Sequence, residues 1–354
     1  MIARYASPFF FVMTLVVAPV VFALLSRWLL PKYWKRIACA CTLLIYILVG
    51  YGTFVEYPNF KVRHVEYVSA DLPEAFDGYR IVMFSDAHVG TMTGLFNGLL
   101  QRAVDSINAQ RADAIVFVGD LENIHPDELK PQLATLSQLK AKDGVYSVLG
   151  NHDYPTYLDC DEAMKKQCLQ QTTALERQTG WQLLLNEHRV ILRPKKGVVA
   201  QQRSDSDSIV IAGMENWGKV KRMPRRGDVK KTLEGIDCQT FAGEGQRIGV
   251  PFILMLQHDP TCWRKHILPE SHAQLTLSGH THGGQFSLFG WSPATFSYTE
   301  WGGMAYEGPR AIYVSVGLGA LIPFRLNMTG EIVVVTLKKR WEVRSEMLDV
   351  RCKK

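Results

Sequence analysis

The chain has 354 residues, 47% of them apolar, with 40 Lys and Arg against 34 Asp and Glu. This length and composition make a globular chain of one or two domains the default. The positive surplus is uneven: residues 1–56 hold Arg4, Arg27, Lys32, Lys35 and Arg36 against the single acid Glu56, and the remainder carries 35 basic and 33 acidic side chains. So nearly neutral a body gives no general argument for nucleic-acid binding, and nucleic acid is not among the expected partners.

Tyr5 to Ser26 and Ile37 to Val55 contain no charge and are dense in Val, Leu, Ile and Phe. Each approaches the roughly 20 residues needed to cross a bilayer core, and both are apolar all round, which argues against core helices. A cleaved signal peptide is the alternative for the first run, but Arg4 makes a thin basic region and no small-residue cleavage site precedes the second run. The sequence therefore predicts a two-span membrane anchor over 1–56 and a separate domain over 57–354. Arg27, Lys32, Lys35 and Arg36 crowd the connection between the spans, which predicts that it faces the cytoplasm. The body would then lie on the outer side of the cell's inner (plasma) membrane.

Beyond Lys61 the pattern becomes mixed α/β. Apolar runs recur at Tyr79–Phe84, Ala114–Val118, Val145–Leu149, Ile209–Ala212, Pro251–Leu256, Gln274–Leu277, Ile312–Val316 and Ile332–Leu337. Between them Leu95–Ala109, Glu128–Leu139 and Asp161–Gln178 have helical period. Pro194 to Ser208 and Gly218 to Val250 read as linkers. The cysteines show no CxxC spacing; Cys160 and Cys168 either pair, in an oxidising compartment, or are two free thiols on a helix.

Five of the apolar runs lead into residues that no core needs. Asp86 and His88 follow Phe84, Asp120 follows Val118, Asn151, His152 and Asp153 follow Leu149, His258 follows Leu256, and Ser278-Gly279-His280-Thr281-His282 follows Leu277. Carboxylates and imidazoles buried at strand ends are costly unless they pair or coordinate something. Strand ends of open α/β sheets are where sites are built, and a neutral imidazole is the commonest metal ligand.

The order of these motifs, DxH, GDxx(D/N), GNH(D/E), a lone His and GHxH, resembles the calcineurin-like metallophosphoesterases over residues 79–337. Gly283-Gly284-Gln285, the run Val314 to Gly319, Arg325-Leu326-Asn327 and Glu331 look like that family's branch of membrane-associated bacterial phosphoesterases. Met328-Thr329-Gly330 departs from the Arg-Pro pair often seen before that Glu. The resemblance implies a four-layer α/β/β/α metallophosphoesterase sandwich, here preceded by two transmembrane helices. It also implies two divalent or mixed-valence metal ions. Asp86, His88 and His282 would hold the first, Asn151, His258 and His280 the second, and Asp120 would bridge them. The mixed oxygen and imidazole donors suit Mn, Fe or Zn. His152 would serve as catalytic proton donor or stabiliser of phosphoryl oxygens, with Asp153 orienting it.

Other residues leave alternatives open. Asn123 touches the site or closes a turn; Glu122 sits at the surface or behind the ligands, with a place among them as the alternative. His64, His125, His188, His266 and His272 match no motif. The basic run Lys219, Lys221, Arg222, Arg225, Arg226, Lys230 and Lys231 attracts an anionic substrate or lipid headgroups, or is a solvated loop. Phe286, Phe289, Trp291, Phe296, Tyr298, Trp301 and Tyr306 line a substrate wall, sit at a membrane interface, or pack under a long loop. The functional expectation is a membrane-anchored, metal-dependent, phosphodiesterase-like hydrolase of phosphoester or pyrophosphate bonds in a phosphorylated substrate, lipid-linked ones included. A cytoplasm-facing nucleotide diacyl-sugar pyrophosphatase and a catalytically inactive binding scaffold are the alternatives. Oligomeric state cannot be read from the sequence.

Overall fold

A computed structural model describes residues 8–197, 205–236 and 251–340. Two antiparallel apolar helices lead the chain: α1, Pro8–Leu29, and α2, Trp34–Glu56, of 22 and 23 residues. At 1.5 Å per residue each is about 33 Å long, enough to cross a hydrocarbon core, and their side chains are largely exposed. The far end of α2 is fastened to the body. The Gly52 carbonyl accepts the Arg325 backbone N–H at 3.1 Å, and the Glu56 carboxylate accepts the Asn327 N–H at 2.8 Å and the Thr329 hydroxyl at 3.0 Å.

The body contains two six-stranded sheets. The first is ordered β1 (Phe60–Ser69), β12 (Gly330–Lys339), β2 (Arg80–Phe84), β3 (Ala114–Val118), β4 (Val145–Val148) and β5 (Gln182–Leu183). The second runs β10 (Gly303–Glu307), β11 (Arg310–Val314), β9 (Leu275–Ser278), β8 (Phe252–Leu256), β7 (Ser206–Gly213) and β6 (Glu187–Pro194). β2, β3 and β4 are mutually parallel, as are β7, β8 and β9, so their C-terminal ends gather on one side of each sheet.

Side-chain alternation on the central strands sets the layers. Ile81, Met83, Val116, Leu254, Leu256 and Val335 meet in the core between the sheets. Val82, Phe84, Phe117 and Val334 point the other way, onto helix α3 (Leu99–Ala109), while Ile253 and Met255 face Trp263 and Ile267 beyond the second sheet. Strands buried on both faces read as unbroken apolar runs rather than alternating ones. The result is the expected α/β/β/α arrangement.

Helix boundaries move for local reasons. Leu95–Ala109 begins as regular helix only at Leu99, because Gly98 takes a left-handed φ of 86° that ends the preceding turn. Glu128–Leu139 is not one helix: short turns surround Pro126 and Pro131, and only α4 (Leu133–Leu136) is regular. Asp161 caps α5 (Glu162–Gln178), its side chain accepting the Met164 N–H at 2.7 Å. Cys160 and Cys168 are free thiols. Residues 198–204 and 237–250 of the two linkers, with Cys238, lie outside the described residues.

Candidate metal centre

Two glycines let the loops after β3 and β4 touch. Gly119 has φ 85°, and a Cβ there would fall 2.5 Å from the Gly150 nitrogen; a Cβ on Gly150 would fall on the Asp120 carboxylate. Asp153 then ties both loops together. One oxygen accepts the N–H groups of Asp120 and Gly150, each at 2.8 Å, and the other accepts those of Leu121 at 2.8 Å and Glu122 at 3.1 Å. Burial and the Asp120 charge push the Asp153 carboxyl up. Four backbone donors aimed at two oxygens nevertheless satisfy the ionised form. Asp153 therefore meets backbone and not the His152 ring that it was expected to orient. That ring is held by the Asn123 carbonyl, 2.6 Å from Nδ1, and by Tyr157 stacked at 4.3 Å.

The structure brings the seven expected ligands together. Donor atoms of Asp86, His88, Asp120 and His282 lie within 4.8 Å of one another, as do those of Asp120, His258 and His280, with Asp120 common to both groups. The Asn151 Oδ1 lies 3.2 Å from the His258 Nε2, which is also 3.2 Å from the His280 Nδ1. His88 and His282 approach through their Nε2 atoms at 3.1 Å. Convergence of ring nitrogens and carboxylate oxygens with few protons between them is the donor set a cation satisfies. His258 is also pre-oriented: its Nδ1–H donates to the Val118 carbonyl at 2.7 Å, which turns Nε2 inward. His280 is backed by the Tyr298 hydroxyl, 2.9 Å from Nε2.

The backbone carries strain here. Asp86, His88, Asp120, His280 and His282 all have left-handed φ, between 44° and 75°, an arrangement that clusters at functional sites. Burial pulls His88 down to about 3 and lowers His280, His152 and His282, so these rings are neutral at pH 7, as ligation requires. Burial also pulls on His258, but Asp120, 3.1 Å away, together with Asp86 holds it up at about 10. A cation bound at Nε2 would take the place of that proton.

The lesser residues resolve as follows. Glu122 is buried behind the ligands and accepts the Thr172 hydroxyl at 3.0 Å; burial and Asp153 push its carboxyl well up. Asn123 meets the site through its carbonyl. His125, His188 and His266 pair with Asp127, Thr232 and Glu270 away from the ligands. Arg325 is fully buried and donates to the carbonyls of Val316, Gly317, Gly319 and Met328. It thereby fixes the loop whose Gly319 N–H reaches the Asp86 carbonyl at 2.9 Å. Met328 and Thr329 thus have local roles, the first as an acceptor for Arg325 and the second as a donor to Glu56. Tyr157 was missed by sequence reasoning. Its hydroxyl accepts the Asn151 amide at 2.9 Å, and its only sequence signal is its place five residues after His152.

A two-sheet sandwich with imidazoles and carboxylates converging from five strand ends defines a metal-dependent hydrolase. The chain belongs to the calcineurin-like phosphoesterase family, whose signature matches residues 79–284. It is thus a metal-dependent phosphohydrolase by family, and its two N-terminal helices are long and apolar enough to cross a membrane. It is 31% identical over 298 residues to a Danio rerio transmembrane protein with metallophosphoesterase domain, covering 83% of this chain and 61% of that protein. It is 29% identical to the Bacillus subtilis metallophosphoesterase YkuE, over 82% of this chain and 89% of that one. To the Chlamydia trachomatis UDP-2,3-diacylglucosamine pyrophosphatase LpxG it is 27% identical, over 62% of this chain and 68% of that one.

Proposed function

We propose that the chain is a membrane-anchored di-metal hydrolase of phosphoester or pyrophosphate bonds in lipid-linked substrates, with residues 1–56 as anchor and 57–354 as catalytic domain. The observation that carries this reading is the single Asp120 carboxylate shared between two ligand groups, in a domain fastened to two apolar helices. Asp86, His88 and His282 would hold one ion and Asn151, His258 and His280 the other, with Asp120 between them; Mn, Fe or Zn suits these donors. When bound, the ions stabilise the attacking and leaving oxygens of an in-line displacement.

The remaining steps fall to the chain. Asn123 engages His152 Nδ1, so Nε2 is the nitrogen free to meet substrate. Burial keeps that ring neutral, with a lone pair on Nε2; an anionic phosphoryl group beside it raises its proton affinity, so Nε2 takes a proton from solvent water and passes it to the leaving oxygen, returning to the neutral form. Asp153 is a positioning residue that holds the Asp120 and Asn151 loops in register. Beside Tyr154 a half-open cleft of about 700 Å³, lined by Lys165, Lys166, Arg222 and Arg226 against Glu162, which pairs with Lys165, supplies net positive charge for the non-reacting part of an anionic substrate.

The basic connection between the helices supports a cytoplasmic loop in the inner membrane and an extracytoplasmic catalytic domain. The likeness to LpxG favours a second reading, a cytoplasm-facing nucleotide diacyl-sugar pyrophosphatase. Hydrolysis of bis(p-nitrophenyl) phosphate by the detergent-solubilised chain with added Mn tests the chemistry. Activity lost in both Asp120→Asn and His152→Ala supports it, and a wild type inactive with two ions bound overturns it. A cytoplasm-active reporter fused after Lys354 decides orientation: signal favours the second reading.

A further inference from the structure

Between the metal loop and β10 the chain makes a turn with two unfavourable features. Leu288 and Trp291 exchange backbone hydrogen bonds at 2.9 and 3.0 Å, and the two residues between them, Phe289 and Gly290, have φ 50° and 81°. Positive φ at both central positions is the geometry for which Asn-Gly is preferred, and a bulky aromatic there is an outlier. Phe289 is also 99% exposed, and Phe296, Leu288 and Trp291 beside it are 81%, 47% and 44% exposed. Phe289, Trp291 and Phe296 stand on the outside of the loop, whereas Tyr298 turns inward to His280. A strained backbone that presents an apolar patch to water stabilises nothing in the isolated domain.

The position of the turn accounts for it. Gln285 Nε2 donates to the Phe324 carbonyl at 2.8 Å, and the Ser287 N–H donates to the Leu326 carbonyl at 2.8 Å. The same 324–329 segment carries the Gly52 and Glu56 contacts with the end of α2, and the Phe324 ring lies 4.9 Å from that of Phe10 on α1. The turn is thus continuous with the surface from which both apolar helices leave the body. Leu95, 84% exposed, precedes Phe96, whose ring packs on Tyr57 just past the end of α2, 4.8 Å between rings. On its inner side the loop returns to the metal site: Ser292 donates to the Gly283 carbonyl, and the Tyr298 hydroxyl meets His280.

We infer that the Leu288–Trp291 turn, with Phe296 and Leu95, is inserted in the same bilayer that holds the two helices. It presses the mouth of the metal site against the lipid surface. Tryptophan, phenylalanine and leucine are the side chains that interfacial segments bury at the boundary between headgroups and acyl chains. The consequence that the substrate's phosphoryl group is delivered from the bilayer, as a lipid headgroup, rests on the hydrolase reading above.

The test uses the full chain in lipid nanodiscs with ordinary or brominated acyl chains. The Trp291 emission is taken as wild type minus Trp291→Phe, which removes the contribution of the helix tryptophans. Brominated lipid should lower that emission at least about twofold, and Phe289→Gly with Phe296→Ser should restore it. Phe289→Gly also relieves the left-handed strain, so its melting temperature in detergent should hold or rise, which separates loss of insertion from misfolding. Emission insensitive to bromine but quenched by aqueous iodide places the turn in water and overturns the inference. Emission insensitive to both means that a second copy or another protein covers the turn, and overturns it equally. Neither readout depends on activity, so loss of the hydrolase reading would be seen separately, as a wild type inactive on the soluble diester.

Discussion

Asp120 accepts the backbone N–H of His152 through Oδ1 at 2.7 Å, and this fixes its other oxygen 3.1 Å from His258 Nε2 and 3.7 Å from His88 Nε2. The carboxylate is held by the loop after β4 and offered to ligands from both sheets. Asp120→Asn keeps the shape but replaces one oxygen with an amide that cannot bind a cation. Turnover should fall on the order of 10³-fold, about 4 kcal/mol of barrier, and elemental analysis should find fewer than two ions per chain. Full metal content with unchanged turnover would remove Asp120 from the bridging position.

Asp153 and His152 are adjacent but serve different ends, and two measurements separate them. Asp153→Asn leaves one acceptor oxygen for four N–H donors and points an amide at the rest. A loss of about 2–3 kcal/mol follows, or roughly 3–5 °C in melting temperature for a body of this size. His152→Ala removes a buried ring whose side-chain hydrogen bond, among the described residues, is the single one to the Asn123 carbonyl. Its melting temperature should stay within about 2 °C of wild type while kcat falls about 10²- to 10⁴-fold. Equal destabilisation of the two variants would make His152 structural.

Tyr298 backs His280 through Nε2, and partners of this kind fix the tautomer and aim of a ligating ring. Tyr298→Phe retains the packing and deletes the hydroxyl. Metal affinity, measured by competition with a chelator, should weaken about 10- to 100-fold with little change in fold. An affinity identical to wild type would show that Nε2 needs no partner.

The residues themselves decide what could be read in advance. The eight strands recognised from the sequence, β2, β3, β4, β7, β8, β9, β11 and β12, are flanked by neighbours on both sides, and the central ones are apolar on both faces, so composition alone marks them. The four missed, β1, β5, β6 and β10, are the four edges of the two sheets. β1 and β6 carry charges such as Lys61, Arg63, Arg189 and Arg193, as edges do to avoid pairing with other chains, and β5 is two residues long. The convergence of these side chains was legible because His and Asp buried after apolar strands cost stability unless they pair or coordinate a cation. The Asp153 contacts were not, since backbone N–H groups leave no mark on a sequence. Nor was the outward stance of Phe289, because the same aromatic run suits a packed loop and a membrane edge equally.

Glu176 gives a pH test remote from the ligands. It lies on α5 with its carboxylate fully buried, and Ser147 is the polar side chain beside it. Burial, with the Asp153 charge behind it, pushes the carboxyl from 4.5 up to about 8. Below pH 4.5 the group is protonated in both folded and unfolded chains and imposes no penalty. Between 4.5 and 8 the unfolded chain ionises while the folded one retains its proton, so stability declines as pH rises, levelling off above about 8. Glu176→Gln keeps the shape without the titration. The melting temperature of the variant relative to wild type, with metal saturating in both, should therefore be several degrees more favourable at about pH 8.5 than at about pH 5. A difference independent of pH would mean that Glu176 titrates in the folded chain as it does in water.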